Sequence, residues 1–592
     1  MSQRLTTRRR MLQGLAIGTA GLAAGRAGAQ EQNAPQSIPG ALGAESPAAA
    51  PAAITPDTIA NAERVFGVQY TDAERAQLVE EIDQWIDRMV RLRQVDKPNT
   101  LAPATVFDPR LPGVPYPEQE NRVTPSGRDA GAVPTDPVDI AFAPVWKLAE
   151  WIRTRALTSR RLTDIYLSRI ERHAPRLECF VTVTPDIARR EADAADAEIA
   201  AGGYRGPLHG IPYGMKDIVD VGGVRGTWGA TPWRDRIAEN DAVVTQRLRE
   251  AGAVLLGKTT NGAIAYGDRW FDGITRNPFN PDEGSSGSSA GSASATAAGL
   301  VGFAIGTETL GSIVSPSHRC GTTGLRPTFG RVPREGAMAL CWSLDKIGPL
   351  CRSAEDTAFV LAAMNGLNPT EPGSLGHGFQ CDVSRDVRGM RVGYNPAWFE
   401  NAAEPDRAAL QAARDAGVEL VEVSMPDLPY DALFAVVEAE SAAAFEALTL
   451  SGDDDTLVWQ DAQAWPNTWR RARFISAVDM VNVDRLRRHV MQAAHDMFSG
   501  VDAVIGPNFA GAMLVITNFT GHPCLAFRSG FVEQRTRTIF GGDANADETQ
   551  HRVPYASTVW APLFQEGNLV ALARAIEERL GVSDERPPEF AR

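Results

Sequence analysis

Cysteine is scarce in this chain, with six among 592 residues, which excludes the disulfide-dense class of small secreted scaffolds. Cys179, Cys320, Cys341, Cys351, Cys381 and Cys524 contain no C-x-x-C pair, and the eight histidines form no H-E-x-x-H or similar ligand pair. Neither a metal site nor another cofactor is therefore expected. A long hydrophobic run is also missing: the apolar stretch Leu12 to Ala24 is short of the roughly 20 residues that cross a hydrocarbon core of about 30 Å. Positive charge is short as well. Lys and Arg total 59 against 73 Asp and Glu, a net charge of −14, with no basic stripe of the kind that nucleic-acid binding requires, so no nucleic-acid partner is expected.

What the amino terminus does contain is Thr7-Arg8-Arg9-Arg10-Met11-Leu12, then that apolar stretch, then Ala27-Gly28-Ala29. This is the order of a twin-arginine export signal, here spanning residues 1–29 with cleavage after Ala29. It predicts engagement with the twin-arginine export machinery, a periplasmic or secreted mature protein, and no stable membrane insertion after cleavage. Removing it takes five arginines and no acid, leaving 54 basic against 73 acidic residues, or −19. That route exports proteins already folded in a reducing compartment, so the cysteines are expected to be mostly free and buried.

Residues 30–58 are rich in Ala, Pro, Gly and Ser, a composition that buries little apolar area and reads as a linker. From Pro56 to Val95 the pattern becomes that of a long amphipathic helix, with Leu78, Ile82, Trp85, Ile86 and Met89 at three- and four-residue steps, the start of a helical arm assigned to residues 59–136. Trp146 to Arg172 and Asp186 to Ala201 read as further helices. After Gly206 the texture is α/β: apolar runs such as Ala253 to Leu256, Val501 to Gly506 and Cys524 to Phe527 alternate with helical segments such as Asp241 to Ala251, as buried strands do.

Two motifs match chemistry that their context opposes. Gly252 to Thr259 satisfies the P-loop pattern, but its four intervening residues are apolar and read as a strand instead of a phosphate-cradling loop. Gly287-Ser288-Ser289-Ala290-Gly291 fits the G-x-S-x-G elbow with Ser289 as nucleophile. An elbow needs a strand before it, and Asn277 to Gly284 is rich in turn residues.

A third pattern is the whole Gly/Ser block: Gly284 to Ser292, then Gly306-Thr307-Glu308-Thr309-Leu310-Gly311-Ser312-Ile313, then Cys320 to Thr328. Upstream stands Gly210-Ile211-Pro212-Tyr213-Gly214-Met215-Lys216-Asp217, and downstream Asn518-Phe519-Thr520-Gly521-His522-Pro523. Together they resemble the amidase signature family over roughly residues 137 to 580. The resemblance implies an α/β fold with a mixed, mostly parallel sheet surrounded by helices, an amidase signature domain over 137–592, and a triad of Lys216, Ser288 in a cis peptide and the nucleophile Ser312. The backbone N–H groups of Thr309, Leu310, Gly311 and Ser312 would form the oxyanion hole. Glu308, Leu310 and Val314 depart from the commonest family pattern.

The residue types suit this chemistry. A serine hydroxyl needs a base to take its proton, and a lysine serves once burial has driven its pKa down from about 10.4. The expected reaction is hydrolysis of a small-molecule amide through an acyl-enzyme on Ser312. An ester or carbamate hydrolase with the same triad and a non-catalytic binding protein of the same fold stand as alternatives, and homodimerisation is left open. The aromatics of Phe434 to Met480 (Phe445, Trp459, Trp465, Trp469) read equally as part of a substrate pocket or as core.

Overall fold

The computed structural model describes residues 53–538 and 548–592; the expected export signal and all but the end of the expected Ala/Pro-rich linker lie outside the described residues. The Thr55 side chain accepts the Thr58 N–H and caps helix α1 (Pro56–Phe66), so the last linker residues are already helical. Gly67 ends α1 at φ 65°, a left-handed stop that glycine tolerates best. Helix α2 (Asp72–Arg93) then opens on a capping box between Thr71 and Glu74. The single helix expected from Pro56 to Val95 is therefore two, joined by Arg75, whose Nε and Nη2 donate to Glu63 at 2.7 and 2.8 Å. Trp146 to Arg172 likewise divides into α3 (Val145–Arg153) and α4 (Ser159–Leu177), with Thr158 capping the second. Helix α5 (Pro185–Ala200) lies where one was expected.

The core is an eleven-stranded sheet. In chain order its strands are β1 (Phe180–Val183), β2 (Pro212–Lys216), β3 (Val254–Thr259), β4 (Phe303–Glu308), β5 (Thr323–Arg326) and β6 (Lys346–Cys351). They continue with β7 (Arg391–Tyr394), β8 (Glu419–Glu422), β9 (Ala503–Pro507), β10 (Cys524–Gln534) and β11 (His551–Trp560). The spatial order is β8-β7-β9-β11-β10-β5-β6-β4-β2-β3-β1. The chain is thus α/β with a large mixed sheet among helices. Parallel pairs occupy two wings, β7 with β8 and β9, and β2 with β3 and β4. The strands between the wings, and edge strand β1, pair antiparallel, which makes six of the ten pairings antiparallel. The parallel wings are where helices cross over: α6 (Val243–Glu250) leads into β3, and α7 (Ala290–Ala297) into β4, as parallel neighbours require. Helix α8 (Val314–Cys320) follows β4.

Strands β2, β3, β4 and β6 are buried at every position, which explains their near-continuous apolar sequences. The P-loop pattern is strand β3, and Lys258 is spent inside the protein, donating to the Asp217 carbonyl at 3.1 Å. Asn280–Gly284 does form a short strand, paired with Arg276–Asn277 outside the large sheet. Its polar residues gave no strand signal because it buries no apolar face. Ser285 to Ser288 separate it from α7, so no strand feeds directly into Ser289. All six cysteines are free and buried.

Farther along lie α9 (Phe434–Ala444), α10 (Trp465–Ala472), α11 (Ala477–Phe498) and α12 (Glu566–Leu580). Helix α12 is clamped to the loop after β5 by a fully buried pair: Glu566 Oε1 accepts Arg331 Nε and the Thr328 N–H, both at 2.8 Å. Removing one partner of such a pair strands a buried charge, which typically costs about 3–5 kcal/mol. Glu566→Ala is expected to lower unfolding stability by that amount in urea denaturation; a loss under about 1 kcal/mol would show the clamp to be dispensable.

Candidate active site

The parallel register of β2 with β4, Met215 opposite Ile305, places the end of β2 beside the end of β4. Successive side chains on a strand point to opposite faces, and the last two residues of β4 divide accordingly. Thr307 meets Lys216, with Nζ 2.8 Å from Thr307 Oγ1. Glu308 turns the other way, to Arg326 and Asn518.

Lys216 is fully buried. Its Nζ lies 2.8 Å from Ser288 Oγ, 3.1 Å from Ser289 Oγ and 3.4 Å from the Thr307 carbonyl. Every polar neighbour within reach is neutral. Burial drives its pKa well below the ordinary lysine value, opposed by the more distant carboxylates of Asp345 and Glu308.

The Gly287–Ser288 peptide is cis, at the position the sequence resemblance implied. The surrounding run is packed against backbone. A Cβ at Gly287 would stand 1.9 Å from the Gly267 carbonyl oxygen, and one at Gly291 would stand 2.3 Å from the Cys179 oxygen. Asp268 holds the run by accepting the Ser286 N–H at 2.9 Å, and Ser286 Oγ shares a 2.7 Å hydrogen bond with Ser315 Oγ.

Ser312 reaches the same place from β4. Its carbonyl accepts the Ser289 N–H at 3.1 Å, which brings the loop that carries Ser312 against the Gly/Ser run. The two serine candidates differ in their surroundings. Ser289 Oγ accepts the Thr307 N–H and donates to the Thr307 carbonyl, each at 3.1 Å, besides meeting Lys216. Ser312 Oγ is buried with no hydrogen-bond partner among the described residues. The N–H groups of Thr309, Leu310, Gly311 and Ser312 also make no hydrogen bond within the described protein, a run of free donors beside a free hydroxyl. Gly311 sits at φ 103°, which only glycine adopts readily.

Several groups that shape the site had no role foreseen from the sequence, although Glu308 and Asp217 stand within its motifs. Glu308 Oε2 accepts the N–H groups of Ile313 and Val314 at 2.8 and 3.0 Å. Its Oε1 accepts Arg326 Nη1 at 2.7 Å and Asn518 Nδ2 at 3.0 Å. Burial raises the Glu308 pKa, but Arg326 and these N–H donors outweigh it and hold the carboxyl below the usual range. Asp345 accepts Thr309 Oγ1 at 2.5 Å and the N–H groups of Leu340 and Cys341 at 2.5 and 3.0 Å; burial pushes its pKa up. Asp217 Oδ2 accepts the Thr227 N–H and hydroxyl at 2.9 and 2.6 Å, and Lys258 stands 3.7 Å from its Oδ1. Alternation along β4 could have given Thr307. Asp345 and Lys258 depend on which strands become neighbours.

The aromatics Phe445, Trp459, Trp465 and Trp469 are all buried. They join one row that runs Trp228, Trp233, Phe445, Trp469, Trp465, Tyr266, Trp459, with successive ring centres 4.7 to 6.0 Å apart. The row touches the site at two places. Trp228 follows Thr227, which holds Asp217, and Tyr266 precedes Gly267, which backs Gly287.

The Amidase family profile matches residues 161–522. A glutamyl-tRNA(Gln) amidotransferase subunit of Halorhodospira halophila is 42% identical over 300 residues, 48% of this chain and 62% of that protein; the chain thus spans about three fifths of that relative's length. An amidase of Pseudomonas putida is 34% identical over 372 residues, 61% of this chain and 78% of that protein. The crystal structure of a peptide amidase from Stenotrophomonas maltophilia superposes with a TM-score of 0.65 at 27% identity, covering 76% of this chain and 99% of the other. With the profile covering more than half of the sequence and a buried lysine, a cis-linked serine and a free serine hydroxyl gathered where β2 and β4 end, the chain belongs to the Amidase family of amidase signature enzymes.

Proposed function

We propose that the protein is an exported amidohydrolase that cleaves the C–N bond of a small-molecule amide, with Ser312 as nucleophile, Ser288 as proton relay and Lys216 as base. The observation that carries this reading is the contrast between the unpartnered Ser312 hydroxyl and the buried Lys216 amine, surrounded only by neutral hydroxyls and a carbonyl.

The proposed steps begin with Ser312 Oγ, which makes no hydrogen bond to Ser288 in the structure, turning to that hydroxyl. Ser312 Oγ attacks the amide carbonyl while its proton passes to Ser288 Oγ, whose own proton goes to the neutral Lys216 Nζ. The oxygen of the tetrahedral intermediate takes its negative charge facing the free N–H groups of Thr309 to Ser312; one such donor is typically worth about 10² to 10³ in rate. Collapse breaks the C–N bond, and the amine or ammonia leaves with the proton returned from Lys216 through Ser288. Water then hydrolyses the acyl ester by the same route and regenerates Ser312.

Ester and carbamate substrates would use the same acyl-enzyme. A second reading, the amidase component of a tRNA-dependent amidotransferase, is favoured by the 42% identity to the Halorhodospira protein. The export pattern at Arg8 to Leu12 and the acidic excess favour the first.

Three outcomes are expected. A fluorophosphonate should label Ser312, as located by peptide mass spectrometry, and still do so in Ser289→Ala but not in Lys216→Ala; labelling at Ser289 would sink the proposed triad. The purified protein alone should release carboxylate and amine from simple amides, and Lys216→Ala should lower kcat by about 10² to 10⁴. Hydrolysis that needs a second protein and glutamine would favour the second reading. For pH, Lys216 acts only when neutral, so kcat/KM should rise with pH through its depressed pKa and level off well below the ordinary lysine value of about 10.4. A rise that continues up to that ordinary value would mean that Lys216 is not the base.

A further inference from the structure

A cavity separate from the triad lies between residues 109–117, the end of α11 and the loop that leads into α12. Its volume is about 300 Å³, the lower end of the range that takes small ligands. None of Lys216, Ser288 and Ser312 lines it. Leu111, Tyr116, Met491, Phe498 and Leu563 supply apolar walls. His522 also lines it, only 4% exposed, with its ring stacked on Phe498 at 4.7 Å between centres. The backbone of His522 faces the other way: its carbonyl accepts Arg326, which holds Glu308.

The tautomer of His522 follows from its hydrogen bond. Thr520 Oγ1 donates its single proton to the Ile516 carbonyl at 2.9 Å, so toward His522 Nδ1, 2.7 Å away, it can only accept. Nδ1 therefore carries the ring proton and is turned to Thr520. Burial, with Arg326 and His495 nearby, pushes the His522 pKa down to about 3, which keeps the imidazole neutral. Nε2, on the opposite side of the ring, is left as a lone pair with no hydrogen-bond partner among the described residues. Other polar groups around the cavity are met elsewhere. Asp502 Oδ2 accepts the Arg391 N–H at 2.8 Å, and Asn568 donates to the Asp502 carbonyl at 3.2 Å and accepts Arg385 Nη1 at 2.7 Å. His495, Ser499 and Gln565 are half-buried or exposed, where water reaches them.

We propose that this cavity binds a small, neutral aromatic molecule carrying an O–H or N–H donor, a phenol being the simplest case, with the donor on His522 Nε2 and the ring among the apolar walls. A buried lone pair needs a donor, and the aromatic walls suit a flat ring. A carboxylate would set negative charge against that lone pair. A protonated amine would carry its charge into apolar walls, which is costly without a paired anion. A phenol stays uncharged at neutral pH, since such hydroxyls titrate near about 10.

The test is fluorine NMR of para-fluorophenol titrated into the purified protein, with para-fluoroanisole as the ring that lacks a donor. Saturable one-to-one binding is expected, about tenfold tighter for the phenol, as one hydrogen bond gives. His522→Phe keeps a ring against Phe498 but removes Nε2, and should erase that preference. Val114→Trp, at the half-buried edge of the cavity, should fill it and abolish binding of both rings, with circular dichroism and amide hydrolysis unchanged. No saturable binding, equal affinities for the two rings, or a preference that survives His522→Phe overturns the inference. So does binding that Val114→Trp leaves intact, which would put the molecule elsewhere, the active site included.

Discussion

The site is organised around one buried carboxylate. Glu308 closes strand β4 and accepts four hydrogen bonds, two from the backbone of Ile313 and Val314, one from Arg326 on β5 and one from Asn518. The first two curl the chain back over Glu308, which turns the loop around Ser312 and starts α8. Arg326 in turn donates to Thr517 Oγ1 and the His522 carbonyl at 2.8 and 2.9 Å, so the C-terminal Asn518-to-Pro523 segment is fixed by the same node. A charge buried this deeply is tolerable only when its lone pairs are met. That requirement explains why sequence segments more than 200 residues apart are held in one register, and how the N–H groups of the loop come to be left without internal partners.

Three buried lysines show how much the outcome depends on neighbours. Lys258, on β3, faces Asp217. Lys346, at the start of β6, donates to the Leu344 carbonyl and feels Glu308 and Asp345. Lys216, on β2, meets no carboxylate within ion-pair distance, only hydroxyls and a carbonyl. Burial lowers the pKa of all three. In Lys216 alone the lowered value coincides with a serine hydroxyl 2.8 Å away that can hand a proton on.

Much of this was legible in the sequence because it is local. Glycine-bounded apolar runs marked β3, β9 and the start of β10, and ordered motifs marked Lys216, Ser288 and Ser312. What escaped was set by contacts far along the chain or by single residues. Gly67 and the Thr158 cap divide helices that periodicity joins, since an amphipathic stripe continues across a short break. The strand Asn280–Gly284 was hidden because a polar edge ladder needs no alternation. Asp345 and Lys258 acquire their roles from sheet neighbours that no window of sequence displays. The order of the sheet, with parallel wings around an antiparallel centre, depends likewise on pairings between strands far apart in the chain.

The glycines of the Gly/Ser run have a consequence for how such an enzyme can change. At Gly287 and Gly291 any side chain would collide with backbone oxygen or nitrogen closer than 2.5 Å, and backbone cannot step aside as a flexible side chain does. These positions are closed to variation whatever the substrate. Change is easier where the neighbours are side chains, which can shift, than at these two glycines, which face backbone.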